Sequence, residues 1–234
     1  FATDAVALRS RRSRLKTLSS FDSVDDDTAI YKVALKFLRH RDHFETEKHM
    51  HKLIASSKTS HVLELINSSD AIAAGMEGGV IAPSFAKTEE NEYCVVMPAA
   101  DRSLLGAMQA EFIAGKNVDE VVKIATHVAQ GLAELHGLGI VHCDIKPRNV
   151  VRTGVKWMII DLDAALNVSD LISKTKKHSS GFVPPEMARV LFNRIDVDCY
   201  AETSFDAWSF GALLFQLCTG MQLFAATEIN SDNL

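Results

Sequence analysis

The run Ile140-Val141-His142-Cys143-Asp144-Ile145-Lys146-Pro147-Arg148-Asn149-Val150 sets a carboxylate, an ammonium and a carboxamide within six positions, between apolar flanks. Transfer of a phosphoryl group needs all three. Its transition state spreads negative charge over the transferring group, so catalysis is mainly positioning and charge neutralisation: an acceptor for the nucleophile's proton, a cation near the terminal phosphate, a metal ligand. Asp144, Lys146 and Asn149 suit these roles in turn. Twelve residues beyond Asn149, the apolar strand Trp157-Met158-Ile159-Ile160 delivers Asp161 to its end, where a carboxylate could bind Mg²⁺. An acid at the exit of a buried strand is costly without a purpose.

The elements that must position these groups fall into two parts. Tyr31 to Leu38 alternates apolar residues at 31, 33, 35 and 37 with Lys32, Ala34 and Lys36, which predicts a strand with Lys36 opposite the apolar row. Phe44, Glu47, Met50, Leu53 and Ile54 recur at helical spacing, predicting an amphipathic helix over 42–55 with Glu47 on its inward stripe. Strands are predicted at Val62 to Ile66 and Tyr93 to Met97, separated by a loop around 75–88 broken by Gly78-Gly79 and Pro83. The remainder is helical: 118–136, with apolar residues at 121, 122, 125, 128, 129, 132 and 135, then 186–192 and 206–218, with a buried strand over 156–162. Sheet first and helices second imply an α+β fold of two lobes with a cleft between them.

Composition bounds the rest. The 234 residues are 47% hydrophobic and 24% charged, enough for a sizeable core, and this excludes disordered, collagen-like and disulfide-scaffold classes. A net charge of -5 offers no general attraction for nucleic acid or anionic membrane. Four cysteines, at 94, 143, 199 and 218, form no CxxC pair, and a reducing, intracellular compartment is expected. Residues 1–28 read as a polar leader, whose cations Arg9, Arg11, Arg12, Arg14 and Lys16 are also compatible with nuclear import. The chain starts at Phe1 with no basic start and apolar core, so no signal peptide is expected, and it reads as a fragment of something longer. Ala207 to Thr227 runs 21 residues without a charge, but Ser209, Gln216, Thr219 and Gln222 favour a buried helix over a membrane span.

His142-Cys143-Asp144-Ile145-Lys146-Pro147-Arg148-Asn149 resembles the catalytic loop of the eukaryotic protein kinase family, a highly specific motif. Other matches follow in the family's order. Val33-Ala34-Leu35-Lys36 resembles the strand carrying the ATP-phosphate lysine, Glu47 the helix glutamate that pairs with it, and Asp161-Leu162-Asp163 the metal-binding Asp-Phe-Gly. Pro184-Pro185-Glu186 resembles Ala-Pro-Glu, and Asp206-Ala207-Trp208-Ser209-Phe210-Gly211 the buried central helix of the C-lobe. The resemblance covers roughly residues 30–224. It implies an N-lobe at 29–98, a partial C-lobe at 99–234, ATP and Mg²⁺ as cofactors, and protein Ser/Thr hydroxyls as substrate. Lys36 would meet the α/β-phosphates, Asp144 would accept the hydroxyl proton, Lys146 would neutralise the γ-phosphate, and Asn149 and Asp161 would hold metal. Met97 would be the gatekeeper of the hinge, with the Pro98 carbonyl and Ala100 amide toward adenine and Asp101 or Ser103 near the ribose. His142 and Asp206 would be structural, and Ser179 would hold the place of the Ser/Thr-specific threonine in an activation segment that also contains Ser169, Ser173, Thr175 and Ser180.

Four departures bear on activity. No glycine precedes Gly75, so the Gly-rich phosphate loop is missing, and Phe21, Val24 or Asp25 to Asp27 would stand in its place and weaken ATP binding. Cys143 replaces the arginine that pairs with an activation-segment phosphate, which lessens dependence on that phosphate; it reads as a small packed thiol. Asp163 replaces a glycine and is expected on the same side as Asp161, either adding a second carboxylate to the metal site or merely sitting beside it. The chain stops at Leu234, so the basic partner of Glu186 and further domains are expected outside it. Two rival readings follow: a pseudokinase acting as a scaffold, favoured by the missing glycines and Asp163, and a small-molecule phosphotransferase of aminoglycoside-kinase type, opposed by Lys146, Pro185-Glu186 and the Asp206 motif.

Overall fold

A computed structural model describes residues 6–11, 14–16, 28–57, 59–66, 76–77, 80–81, 93–173, 178–192 and 198–224. Strands β1 (Val6–Arg11), β2 (Arg14–Lys16) and β3 (Thr28–Leu38) lead into helix α1 (Arg41–Ala55). A two-stranded pair, β4 (Met76–Glu77) and β5 (Val80–Ile81), precedes β6 (Tyr93–Pro98). The first sheet is antiparallel in the order β2-β1-β3-β6, with Lys36 opposite Val95 and Ala34 opposite Met97. The polar-leader reading of residues 1–28 is therefore corrected over 6–11 and 14–16, whose backbone pairs into this sheet. Phe21, Val24 and Asp25 to Asp27, expected in place of the phosphate loop, lie outside the described residues.

Lys36 lies opposite Val33, Leu35 and Phe37, as the alternation predicts, and its face is the more covered of the two. Leu38 is buried with Phe44 of α1, Ala34 packs against the same cluster, and Phe37 of the apolar row is 38% exposed. The face covered by α1 is thus the Lys36 face, and apolar periodicity cannot detect a buried ammonium. Helix α1 matches its predicted stripe, burying Phe44, Glu47, Met50 and Ile54, and adds His51. The strand predicted over 62–66 is instead an extended crossing segment. It touches its neighbours at isolated points, through a parallel bridge from Val62 to Ile159 and through Ile66 N, which donates to Val96 O at 3.1 Å.

The second part opens with β7 (Arg102–Ser103), α2 (Leu104–Ala110) and the long α3 (Val118–Gly137), started by Asn117, whose side chain accepts from Glu120 N. Then come β8 (Ile140–Val141), a single 3₁₀ turn Pro147–Asn149, β9 (Val150–Thr153), β10 (Lys156–Ile159) and β11 (Leu166–Asn167). Helices α4 (Pro185–Phe192) and α5 (Thr203–Thr219) complete the described part. The inward arc of α3 is Ile124, Val128, Gly131, Leu132 and Leu135, whereas Val122, read as apolar-facing, is 57% exposed. Gly131 is there because a Cβ would stand 2.9 Å from both His61 O and Ile159 Cδ1. One core cluster joins Met50 and Ile54 of α1 to Leu104, Ile124, Leu135, Ile145, Trp157, Leu162 and Leu213, so α1 is anchored to the helical part as well as to the sheet. Helix α5 ends at Gly220, φ 75°, and no described helix is long and apolar enough to cross a membrane.

Candidate active site

The catalytic-loop candidate is held from below by one buried acid. Asp206, in the first turn of α5 and 0% exposed, accepts from His142 N at 2.8 Å, Cys143 N at 2.9 Å and His136 Nε2 at 2.9 Å. Cys143 has φ 63°, a left-handed backbone that a non-glycine residue adopts only when its surroundings impose it. Its thiol is buried with Ile172, Val183, Met187 and Phe205 and donates to Val141 O at 3.6 Å. His142 ties the loop to the next strand, with Nε2 3.0 Å from Ile160 O and Nδ1 accepting from Asp144 N at 3.2 Å.

Asp144 is thereby presented with both oxygens engaged. Asn149 Nδ2 donates to Oδ2 at 3.0 Å and to the Asp144 carbonyl at 2.9 Å, and Ser179 Oγ donates to Oδ1 at 2.7 Å. Lys146 Nζ lies 2.8 Å from Asp144 Oδ2 and donates to Ser179 Oγ at 2.8 Å. Residues 142–150 are buried apart from exposed Arg148. A carboxylate fixed by two donors and a cation in a dry site is a preorganised proton acceptor of the kind phosphoryl transfer uses.

A second cluster brings together residues far apart in sequence. Lys36 Nζ reaches Glu47 Oε2 at 2.5 Å, Asp161 Oδ1 at 2.5 Å and Asp163 Oδ2 at 3.5 Å. Burial alone would push the Lys36 ammonium's pKa down, but Asp161, Glu47 and Asp163 outweigh it and hold the ammonium above its ordinary value. Glu47, Asp161 and Asp163 each place a carboxylate oxygen within 4.8 Å of the others, all buried. Asp161 itself has φ 74°.

The remaining predicted residues occupy two other places. Met97 is buried beside Val95 and Leu63, Pro98 ends β6 opposite Val33, and Ala100 packs against the same cluster. Ser103 caps α2 by accepting from Gly106 N at 3.2 Å, and Asp101 Oδ2 accepts from Gly154 N at 2.8 Å. Glu186 is exposed and belongs to neither cluster; it lines a groove of about 610 Å³ with Arg189, Cys199, Tyr200 and Phe205. Thr175 lies outside the described residues. Sequence reasoning overlooked His136 and His51. His136 carries a signal, a histidine in the last turn of α3 four residues before β8; His51 carries only its spacing of four from Glu47.

Comparison with known proteins identifies the family. A family model described as "Protein kinase domain" matches residues 21–234. Dual specificity tyrosine-phosphorylation-regulated kinase 3 of Rattus norvegicus is 28% identical over 201 residues, covering 84% of this chain and 30% of its own length. Serine/threonine-protein kinase STK11 of Homo sapiens is 36% identical over 104 residues, 42% of this chain and 23% of its own. The chain thus spans under a third of the length of these relatives. With a small antiparallel-sheet lobe, a helical lobe and a match over most of its length, the chain belongs to the protein kinase domain family.

Proposed function

We propose that the chain is the catalytic domain of an ATP- and Mg²⁺-dependent Ser/Thr protein kinase that transfers the γ-phosphate to protein hydroxyls. The observation that carries this reading is the clamp on Asp144 by Asn149, Ser179 and Lys146. In it, Asp144 accepts the substrate hydroxyl's proton, Lys146 places positive charge beside the transferring group, and Lys36, oriented by Glu47, anchors the nucleotide phosphates. Met97, Pro98 and Ala100 border adenine, and Ser103, whose capping contact leaves its O–H free to donate, lies toward the ribose. The donor set fits a hard divalent ion: Asp161 and Asp163 offer buried carboxylate oxygens, and Asn149 an amide oxygen. When bound, Mg²⁺ supplies neutralisation of the phosphate charge. Ser179, bridging Asp144 and Lys146, supports Ser/Thr over Tyr specificity. Cys94, Cys143, Cys199 and Cys218 form no disulfide, and we place the domain in a reducing intracellular compartment.

The test is transfer of radiolabelled γ-phosphate by the full-length protein with Mg²⁺ to a generic basic protein, beside Asp144→Asn and followed by phosphoamino-acid analysis. Label on serine and threonine that disappears in Asp144→Asn is expected; equal label in both sinks the assignment. A second reading, a pseudokinase scaffold, is favoured by Asp163, whose Oδ2 sits 3.5 Å from Lys36 and competes for it. Nucleotide-dependent thermal stabilisation without any transfer would decide for that reading.

A further inference from the structure

Glu47 is 0% exposed and gives Oε2 to Lys36, while its Oε1 has no hydrogen-bond partner among the described residues. One helical turn on, His51 is 6% exposed, and neither Nδ1 nor Nε2 has a hydrogen-bond partner there. Its Nε2 stands 3.5 Å from that same Oε1. A buried acceptor without a donor and a buried ring N–H without an acceptor are each unfavourable, and these two deficits cancel when Nε2–H donates to the oxygen. Positions i and i+4 of a helix share a face, so a small side-chain rotation in α1 closes the contact with no backbone movement.

We propose that His51 is a positioning residue for the nucleotide site: its Nε2–H holds Oε1 of Glu47 and keeps Oε2 turned to Lys36. The last torsion of a glutamate is soft, so a carboxylate held at one oxygen only can rock. Lys36 is also drawn by Asp161 at 2.5 Å and Asp163 at 3.5 Å, so a rocking Glu47 would lose the ammonium to them. The proposal rests on the reading that Lys36 anchors nucleotide phosphates. It also explains a polar choice at a site bordered by Met50 and Ile54, where leucine would satisfy packing alone.

The experiment uses the full-length protein and compares His51→Leu and His51→Gln, with and without Lys36→Met. It reads the Kd of a fluorescent ATP analogue, the KM for ATP and kcat. His51→Leu is expected to raise the nucleotide Kd and KM roughly three- to tenfold with a smaller change in kcat and no loss of thermal midpoint. His51→Gln, which keeps an N–H within reach of Oε1, is expected to restore both to within about twofold of wild type. In the Lys36→Met background, His51→Leu should have no further effect on Kd, because the pathway through Glu47 is already broken. Wild-type affinity in His51→Leu, a His51→Gln variant as weak as His51→Leu, or a full repeat of the loss on Lys36→Met each overturns the proposal. Binding without transfer by the wild type overturns only the catalytic reading, since the Kd comparison needs no turnover and tests His51 by itself.

Discussion

Asp206→Ala is the substitution whose cost the structure defines most directly. The carboxylate is fully buried and accepts from two backbone amides, His142 N at 2.8 Å and Cys143 N at 2.9 Å, together with His136 Nε2 at 2.9 Å. Truncation removes one buried charge, which by itself is favourable, but leaves two buried N–H groups without acceptors at about 1–3 kcal/mol each. The His136 side chain is 22% exposed and can turn to water, so it adds little. Cys143, held at φ 63°, also loses the contact that fixes it. The sum is about 4 kcal/mol, a large part of the roughly 5–15 kcal/mol that separates a folded domain from its unfolded chain. Asp206→Asn keeps one acceptor oxygen and turns an NH₂ toward the other amide, so about 2 kcal/mol is expected. Guanidinium unfolding at pH 7, followed by intrinsic fluorescence, gives both values in one series. A loss below about 1 kcal/mol for Asp206→Ala would show that the two amides find other acceptors, and the account of how the loop is held would fall.

Three further outcomes follow from other contacts. Gly131→Ala puts a Cβ 2.9 Å from the His61 carbonyl, a backbone atom that cannot turn aside, and should cost about 1–3 kcal/mol in a denaturant melt; an unchanged midpoint refutes the close approach of α3 to that segment. Ser179→Ala removes the hydroxyl between Asp144 and Lys146 and should lower kcat about tenfold with KM for ATP nearly unchanged; an effect confined to KM contradicts the clamp. His127 is held below its ordinary 6.5 chiefly by burial, then by the neighbouring His61, and its Nδ1 accepts from Trp157 N. The unfolded chain therefore binds the proton more readily, and stability should decline as the pH falls through 6.5. His127→Gln should flatten that decline, and an identical slope in the variant would assign the effect elsewhere.

The helices were legible because each buries one stripe of apolar side chains at a period of 3.6, and α1, α3, α4 and α5 lie within a few residues of their predicted bounds. The catalytic-loop candidates were legible because they are consecutive in the chain. What escaped was decided by partners remote in sequence. The pairing of Lys36 with Glu47 was legible only through the family resemblance, because no local pattern in β3 shows that Glu47 and Asp161 neutralise this largely covered ammonium. The segment 62–66 looks like a strand because it is apolar, but it passes between β6 and β10, bonding to each at isolated points. Val6–Arg11 looks like a solvated leader because its cations dominate the composition, yet its backbone finds a partner in β3.

The two clusters of the candidate site share one construction. Each follows a short strand by two residues: Cys143 after β8, which ends at Val141, and Asp161 after β10, which ends at Ile159. Both residues take a left-handed backbone, φ 63° and φ 74°, at a cost of about 1–2 kcal/mol apiece for a side chain other than glycine. Both turns are over-determined from outside the strand: the first by Asp206 accepting the successive backbone N–H groups of His142 and Cys143, the second by the Lys36 ammonium on the Asp161 carboxylate. Each strand ends at its strained residue, and the acids stand at or just after it: Asp144 beside Lys146 at one turn, Asp161 and Asp163 beside Lys36 at the other. His142 then couples the turns, through Ile160 O on one side and Asp144 N on the other. Glycine at either turn would adopt the same φ without strain, but would supply no Asp161 carboxylate for Lys36 and no buried Cys143 side chain for the cluster of Ile172 and Met187. The backbone strain is thus tied to side chains that the site uses, so the positions of the two acidic groups are fixed before any substrate arrives.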